Sequence, residues 1–388
     1  MDVLPLGPSA PVLRWRSESA APVPDRVVEA DDSMRADTAF RLACEGTALL
    51  WRGDFQGARQ LLTALGRRAD RAPRRRARPA PGATAAPTPY QAFHRHRQAQ
   101  GRRARLLGML LVPVDPGYVV PLRRAPDVAA ACTEAYGPWE DAGHGGAADG
   151  LAVSLRELLG VIGAHEWRRK GVPVPALGGD RVHPYYGVFS PVRGEYVDLV
   201  ARAPLPADQT LAVDVGTGTG VLAAVLARRG VARVVATDQD PRALDCARDN
   251  TTRLGLTGRV EVVAADLFPP VRAPLVVCNP PWLPAKVTSP VEHAVYDPGS
   301  RMLRGFLAGL PGALAPGGEG WLLLSDLAEH LGLRSRAELL ELVAQAGLTV
   351  LDRLDTRPAH PRASDAGDPL HAARAAEVTS LWRLAPSR

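Results

Sequence analysis

Two short stretches of this 388-residue chain combine residue types that do chemistry. The first is Asp214-Val215-Gly216-Thr217-Gly218-Thr219-Gly220. Alternating glycines let a backbone turn sharply and approach a ligand with no Cβ in the way. Where such a turn opens a helix, the first free amides suit a phosphate or a carboxylate. The second stretch is Val276-Val277-Cys278-Asn279-Pro280-Pro281-Trp282. Consecutive prolines break a helix and an interior strand alike, so Pro280 and Pro281 make a rigid turn at a strand end. Asn279 Oδ1 and the Pro280 carbonyl can each accept one N–H bond, and Trp282 offers a flat face to a planar group. An amide or aniline-type nitrogen is a poor nucleophile because its lone pair is delocalised. A pair of acceptors that aims such a nitrogen meets that difficulty by positioning.

The spacing separates one cofactor class from another. A dinucleotide turn reads G-x-G-x-x-G, whereas this one reads G-x-G-x-G with an acid two residues ahead. Asp238 stands 22 residues beyond Gly216, at the end of the next apolar run, where a carboxylate can take bonds from two ribose hydroxyls. Asp266-Leu267 follows the third run, where an acid can read an adenine amino group. This set resembles the class I S-adenosylmethionine-dependent methyltransferases. The resemblance implies that Asp214 orients the methionine end of the cofactor, that Asp238 holds ribose, and that Asp266 and Leu267 hold adenine. Gly216, Thr217, Gly218 and Gly220 would form the turn around it.

Asn279 to Trp282 resembles the NPP[YFW] signature of enzymes that methylate planar nitrogens, either glutamine amides in proteins or exocyclic amines of adenine or guanine. Val188 to Leu199 resembles the segment that covers the cofactor in HemK-type glutamine methyltransferases, which implies a cofactor contact for Phe189. Val295-Tyr296-Asp297-Pro298-Gly299 resembles the acid and proline that precede a helix in that group. Glu195 departs from it, standing where the family often has threonine. The resemblance spans roughly Val182 to Leu384.

Positioning these residues calls for a doubly wound α/β domain. Strands are predicted at 211–215, 233–237, 260–264, 274–278, 320–325, 348–354 and 378–384. Helices are predicted at 219–229, 241–254, 301–314 and 335–346. The result is a Rossmann-like, mostly parallel seven-stranded sheet over residues 181–388, with its last two strands an antiparallel pair at one edge. Upstream, residues 1–32 read as a loose arm and 33–180 as a mainly helical accessory region for substrate recognition. Phe40, Leu42, Ala43, Thr47, Leu50 and Trp51 recur at helical spacing, and Leu61, Leu62 and Leu65 continue in a second helix. An Arg/Pro-rich linker is expected at 73–89, a basic helix near Tyr90 to Leu107, a strand at Met109 to Val114, and a boundary at Gly143 to Gly150. A helix from Leu151 to about Arg169 and a hairpin-like stretch from Gly171 to His183 complete the region.

Hydrophobic residues at 46% and charged residues at 23% exclude a disordered or fibrous chain. No apolar run is long enough to span a bilayer, and the N-terminus has no basic start before an apolar core. Cys44, Cys132, Cys246 and Cys278 are far apart in the sequence and form no CxxC pair, which argues against disulfides and zinc and suits the cytoplasm. Only Lys170 and Lys286 are lysines, so the net charge of +6 reflects an arginine-rich composition. Two clusters stand out, seven arginines with one aspartate over Arg67 to Arg78, and five arginines with two histidines over His94 to Arg105. Both read as solvated faces, with phosphate contact as the alternative. His94, His96, His165 and His293 have no partner pattern that assigns them chemistry.

The sequence therefore points to an N-methyltransferase using S-adenosyl-L-methionine and no metal. Its expected acceptor is a glutamine-bearing protein, with a translation factor as one candidate. The alternatives are an exocyclic base amine in RNA or DNA, and a cofactor-binding module without turnover. The G-x-G-x-G spacing and the NPPW turn argue against a nicotinamide dehydrogenase.

Overall fold

The structure is a computed structural model that describes residues 3–6, 11–76, 87–139, 150–192, 194–287, 292, 295–358, 365 and 367–387. The chain divides into two compact units, 1–87 with 94–166, and 88–93 with 167–388.

The first unit contains strands β1 (Leu13–Arg16), β2 (Arg26–Ala30), β3 (Thr47–Trp51), β4 (Leu110–Val114) and β5 (Gly150–Ser154). They form one sheet in the order β1-β5-β4-β3-β2. Its helices are α1 (Ala36–Cys44), α2 (Phe55–Arg76), α3 (Pro89–Gly108), α4 (Ala129–Tyr136) and α5 (Leu155–Lys170), with α3 and α5 running into the second unit. This corrects two expectations. The region is mostly helical as expected, but Thr47–Trp51 and Gly150–Ser154, expected within helices, are strands with every residue buried and join the expected strand at 109–114 in one sheet. A strand covered on both faces shows no alternation, so its apolar run extends an apparent helical period. The arm is not loose either. Leu13–Arg16 pairs with β5 and Arg26–Ala30 with β3, both parallel and distant in sequence, which local composition does not report. Arginine is a good helix former, and α2 continues past Pro73 to Arg76 into the expected linker. Residues 77–86 of that linker, and 143–149 of the expected boundary, lie outside the described residues.

The second unit follows the predicted alternation closely. After the short antiparallel pair β6 (Val172–Pro173) and β7 (Arg181–Val182) come α6 (Glu195–Arg202), β8 (Leu211–Val215), α7 (Val221–Arg228), β9 (Arg233–Asp238), α8 (Pro241–Arg253), β10 (Val260–Ala264) and β11 (Ala273–Cys278). Then follow α9 (Arg301–Ala313), β12 (Leu314–Ser325), α10 (Leu327–His330), α11 (Arg336–Gln345), β13 (Leu348–Thr356), α12 (His371–Ala376) and β14 (Thr379–Pro386). Sheet order is β10-β9-β8-β11-β12-β14-β13. The pairs from β10 to β12 are parallel, and β14 runs antiparallel to both neighbours.

The chain moves outward from β8 through β9 to β10, then crosses back to β11 on the other side of β8. Ligands of open α/β sheets gather beyond the strand C-termini at such a reversal. One apolar layer, including Val197, Leu226 and Val277, covers one face, and a second, including Val276, Leu303 and Phe306, covers the other. Both layers fix the ends of β8 and β11, where the glycine turn and Asn279 sit.

Candidate active site

At the C-terminal edge of β8, β9, β10 and β11 lies a cleft of about 940 Å³. Gly216, Gly218 and Gly220 carry the chain from β8 into α7, with φ of 70°, 55° and 80°. A side chain at any of them would be strained. A Cβ on Gly216 would also collide with the Met302 methyl, whereas the space at Gly218 is open. The turn is tied to β9 by the Thr217 N–H, which donates to the Thr237 carbonyl at 2.9 Å. The Gly218 N–H donates to Asp238 Oδ2 at 3.1 Å, and the Asp240 N–H donates to Oδ1 at 3.0 Å. Burial pushes the Asp238 carboxyl above its ordinary range, against the pull of those amides.

Of the residues singled out in the sequence, Phe189, Gly216, Thr217, Gly218, Asp238, Asp266, Leu267, Asn279 and Pro281 line this cleft. Asp214, Gly220, Pro280 and Trp282 are not among the lining residues. Asp214 is 1% exposed and braces the turn from behind. Its Oδ2 accepts the Thr217 hydroxyl at 2.6 Å and the Ala223 N–H at 3.1 Å. Burial raises its pKa to about 6, with the two bonds opposing. Gly220 caps α7, and Pro280 is buried.

Trp282 differs most from expectation. Its indole packs against both apolar layers, and its Nε1–H donates to Asn279 Oδ1 at 2.9 Å. An indole N–H is only a donor, so this bond fixes which end of the Asn279 amide is oxygen. An amide oxygen has two lone pairs, so one remains available in the cleft. Trp282 thus holds Asn279 instead of presenting a flat face to the cleft.

Leu267 sits at φ 70°, a strained value for a branched side chain. The Thr237 hydroxyl donates to its carbonyl at 2.6 Å and holds it there. This places Asp266 and Leu267 on the cleft wall beside Asp238. Sequence reasoning missed Tyr196, Lys286, Arg301 and Met302, which also line the cleft. Tyr196 lies within the covering segment that named Phe189, and the two rings lie 6.4 Å apart. Arg301 and Met302 open α9, whose start is held by Asp297. That buried carboxylate accepts the Met302 N–H at 3.0 Å and the Leu303 N–H at 3.2 Å. The Asp297-Pro298 step was legible as a helix entry, but not which side chains it delivers. His293 lies outside the described residues.

The residues present fit a cofactor with a nucleoside at one end and an amino acid at the other. The open space over Gly218 admits a close approach, two carboxylates stand at successive strand ends, and Phe189, Leu267 and Met302 supply apolar walls. The four cysteines are free thiols, and burial raises the Cys132 and Cys246 thiols to about 12. Among the described residues no helix is long and apolar enough to cross a membrane.

Residues 182–332 match the family model of the methyltransferase small domain. With the strand order and the site at its edge, the C-terminal unit is a class I, S-adenosylmethionine-dependent methyltransferase domain. The chain is similar to the release factor glutamine methyltransferase of Cereibacter sphaeroides, 35% identical over 37% of this chain and 56% of that protein. It is also similar to the ribosomal protein L11 methyltransferase of Pelotomaculum thermopropionicum, at 38% over 36% of this chain and 38% of the relative. The release factor glutamine methyltransferase of Mycolicibacterium smegmatis matches at 40%, over 31% and 44%. The chain therefore spans about half the length of these relatives or less.

Proposed function

We propose that this chain is an N-methyltransferase that uses S-adenosyl-L-methionine to methylate the side-chain amide of a protein glutamine. The observation that carries this reading is the meeting of Asn279 with the Gly216–Gly218 turn, Asp238 and Asp266 in one cleft. The cofactor, when bound, supplies an electrophilic sulfonium methyl. Asp238 and Asp266 are suited to its ribose and adenine, and Phe189 to covering it. Asn279 Oδ1, already oriented by Trp282, has a lone pair left to accept an N–H of the acceptor. Catalysis then rests on alignment rather than on a strong base. The release factor glutamine methyltransferases among its relatives favour glutamine, and one of them could suit a translation factor as acceptor.

A second reading, methylation of an exocyclic base amine in RNA or DNA, is favoured by the two arginine clusters. A module that binds the cofactor without turnover is disfavoured by an Asn279 held ready in the cleft. The test is incubation of the purified chain with tritiated S-adenosylmethionine and fractionated cell extract, followed by nuclease or protease. Label released by protease and recovered as N-methylglutamine is the expected result. Label released by nuclease would move the acceptor to nucleic acid, and no label in any fraction would leave only the binding module.

A further inference from the structure

The first turn of α3 belongs to the second unit, where residues 88–93 group with 167–388. Its start is firmly capped. Pro89 opens the helix, the Thr88 hydroxyl accepts the Gln91 N–H at 3.3 Å, and Gln91 Oε1 accepts the Thr88 N–H at 3.2 Å. The turn lies against Gly332, just beyond α10, where an added Cβ would stand 3.7 Å from Tyr90 Cβ. Phe93 follows and is 2% exposed. It is the largest buried member of an apolar cluster that includes Leu283, Leu327, Leu331 and Leu370, with Val295 and Tyr296 packed against it.

That cluster reaches the cleft through Leu283, which directly follows Trp282. The Leu283 N–H donates to the Val295 carbonyl at 3.1 Å, and the Leu283 carbonyl accepts the Asp297 N–H at 2.8 Å. Asp297 in turn holds the Met302 and Leu303 amides that open α9. Tyr296, Asp297, Arg301 and Met302 line the cleft with Asn279, and none of them comes from β9 or β10, whose ends carry Asp238 and Asp266. We propose that Phe93 is a positioning residue for methyl transfer, which sets Leu283 and Val295–Asp297 and, through them, the acceptor wall of the cleft.

Two features separate this role from general core packing. The cluster shares no residue with the two apolar layers that fix the ends of β8 and β11. Loosening it should therefore move the acceptor wall and spare the glycine turn. Phe93 also lies outside residues 182–332, which match the methyltransferase family model. The acceptor wall thus depends on a segment that the cofactor-binding fold does not contain, a place where acceptor choice can differ while the cofactor site stays the same. A wall displaced by about 1 Å can cost about a hundredfold in rate.

The inference rests on the methyl-transfer reading for its consequence but not for its geometry, so the test reads both. Hydrogen–deuterium exchange of the full chain is followed in peptides covering 295–303 and 214–224, beside calorimetry with S-adenosylmethionine and labelling of fractionated extract. Phe93→Ala should speed exchange in 295–303 at least about tenfold and leave 214–224 within about threefold. It should cut labelling at least about tenfold while S-adenosylmethionine affinity stays within about threefold. Phe93→Leu, which keeps most of the apolar bulk, should restore both to within about threefold of the wild type. Leu65→Ala, a truncation buried in the first unit, should lower the melting temperature and leave 295–303 unchanged. Unchanged exchange in 295–303 of Phe93→Ala, equal acceleration of both peptides, or an equal labelling loss in Leu65→Ala would each overturn the proposal. A wild-type chain that labels nothing would sink the methyl-transfer reading itself, and faster exchange confined to 295–303 would still support the hold of Phe93 on this wall.

Discussion

Both units place acids just beyond strand C-termini, and they use them differently. In the N-terminal unit Asp32 follows β2 and Asp54 follows β3, and the two lock together. Asp32 Oδ2 accepts the Asp54 N–H at 2.9 Å, and a Cβ on Gly53 would sit 2.8 Å from the same carboxylate. Asp54, 3% exposed, accepts the Gln56 N–H at 2.8 Å and takes Arg123 and Arg124 on Oδ2 at 3.0 and 2.7 Å. The Arg124 bond, with the Gln56 and Arg123 bonds, holds its carboxyl well below the usual carboxylate range. In the C-terminal unit Asp238 takes one amide of the glycine turn and one of its own turn yet still lines open space, as do Asp266 and Asn279. A strand edge becomes a site where its polar groups face a ligand-sized gap; where they satisfy one another, it becomes a clasp.

The largest expected effect comes from Asn279. Asn279→Ala should cut turnover by roughly 10²-fold or more while S-adenosylmethionine affinity stays within about threefold. Loss of affinity alongside turnover would make Asn279 a cofactor residue and erase its special place in the comparison. Next in size is Asp238→Ala, which should weaken S-adenosylmethionine by about 1.5 to 3 kcal/mol, the scale of hydrogen bonds to a charged group. The matching change across the molecule, Asp54→Ala, should lower the melting temperature by several degrees and leave cofactor affinity untouched. Altered cofactor affinity in that variant would mean the clasp is not merely structural.

Smaller again is Trp282→Phe, which keeps an aromatic ring and deletes the N–H bond to Asn279. It should reduce kcat by roughly three- to tenfold, the scale of one hydrogen bond, with KM for S-adenosylmethionine unchanged. A separate effect, on stability rather than on turnover, concerns Asp214. Its pKa of about 6 exceeds the free value of about 3.9, so the folded state holds the proton more tightly. Stability from this group is full below about pH 4 and falls as pH rises towards 6. Asp214→Asn should remove up to about 3 kcal/mol of that slope, read by denaturant titration at several pH values. Parallel curves for the two proteins would show that Asp214 does not titrate there.

The same contrast explains what the sequence disclosed. The C-terminal strands alternate with amphipathic helices, and each chemical residue sits at a strand end, so local pattern and site location coincide. The mostly parallel sheet and its antiparallel edge pair followed from that alternation, while the strand order did not. In the N-terminal unit Thr47–Trp51 is buried on both faces, and its partners β2 and β4 are recruited across distance. Neither fact has a local signature, so of the five strands the expected one at 109–114 was legible, β3 and β5 read as helix, and β1 and β2 read as a loose arm. Within the site the residue types were legible, but second partners were not. That Asp214 faces Thr217 and Ala223, and that Trp282 turns its N–H to Asn279, depends on rotamers chosen by tertiary packing.

The central claim is that the edge of the C-terminal sheet is a methyl-donor site. Calorimetric titration of S-adenosylmethionine into the full chain, with and without its demethylated product as competitor, tests it most directly. One binding event in the micromolar range, about −8 kcal/mol, displaced by that product and weakened in the Asp238→Ala variant, is the predicted result. Heat from NADH and none from S-adenosylmethionine would contradict it.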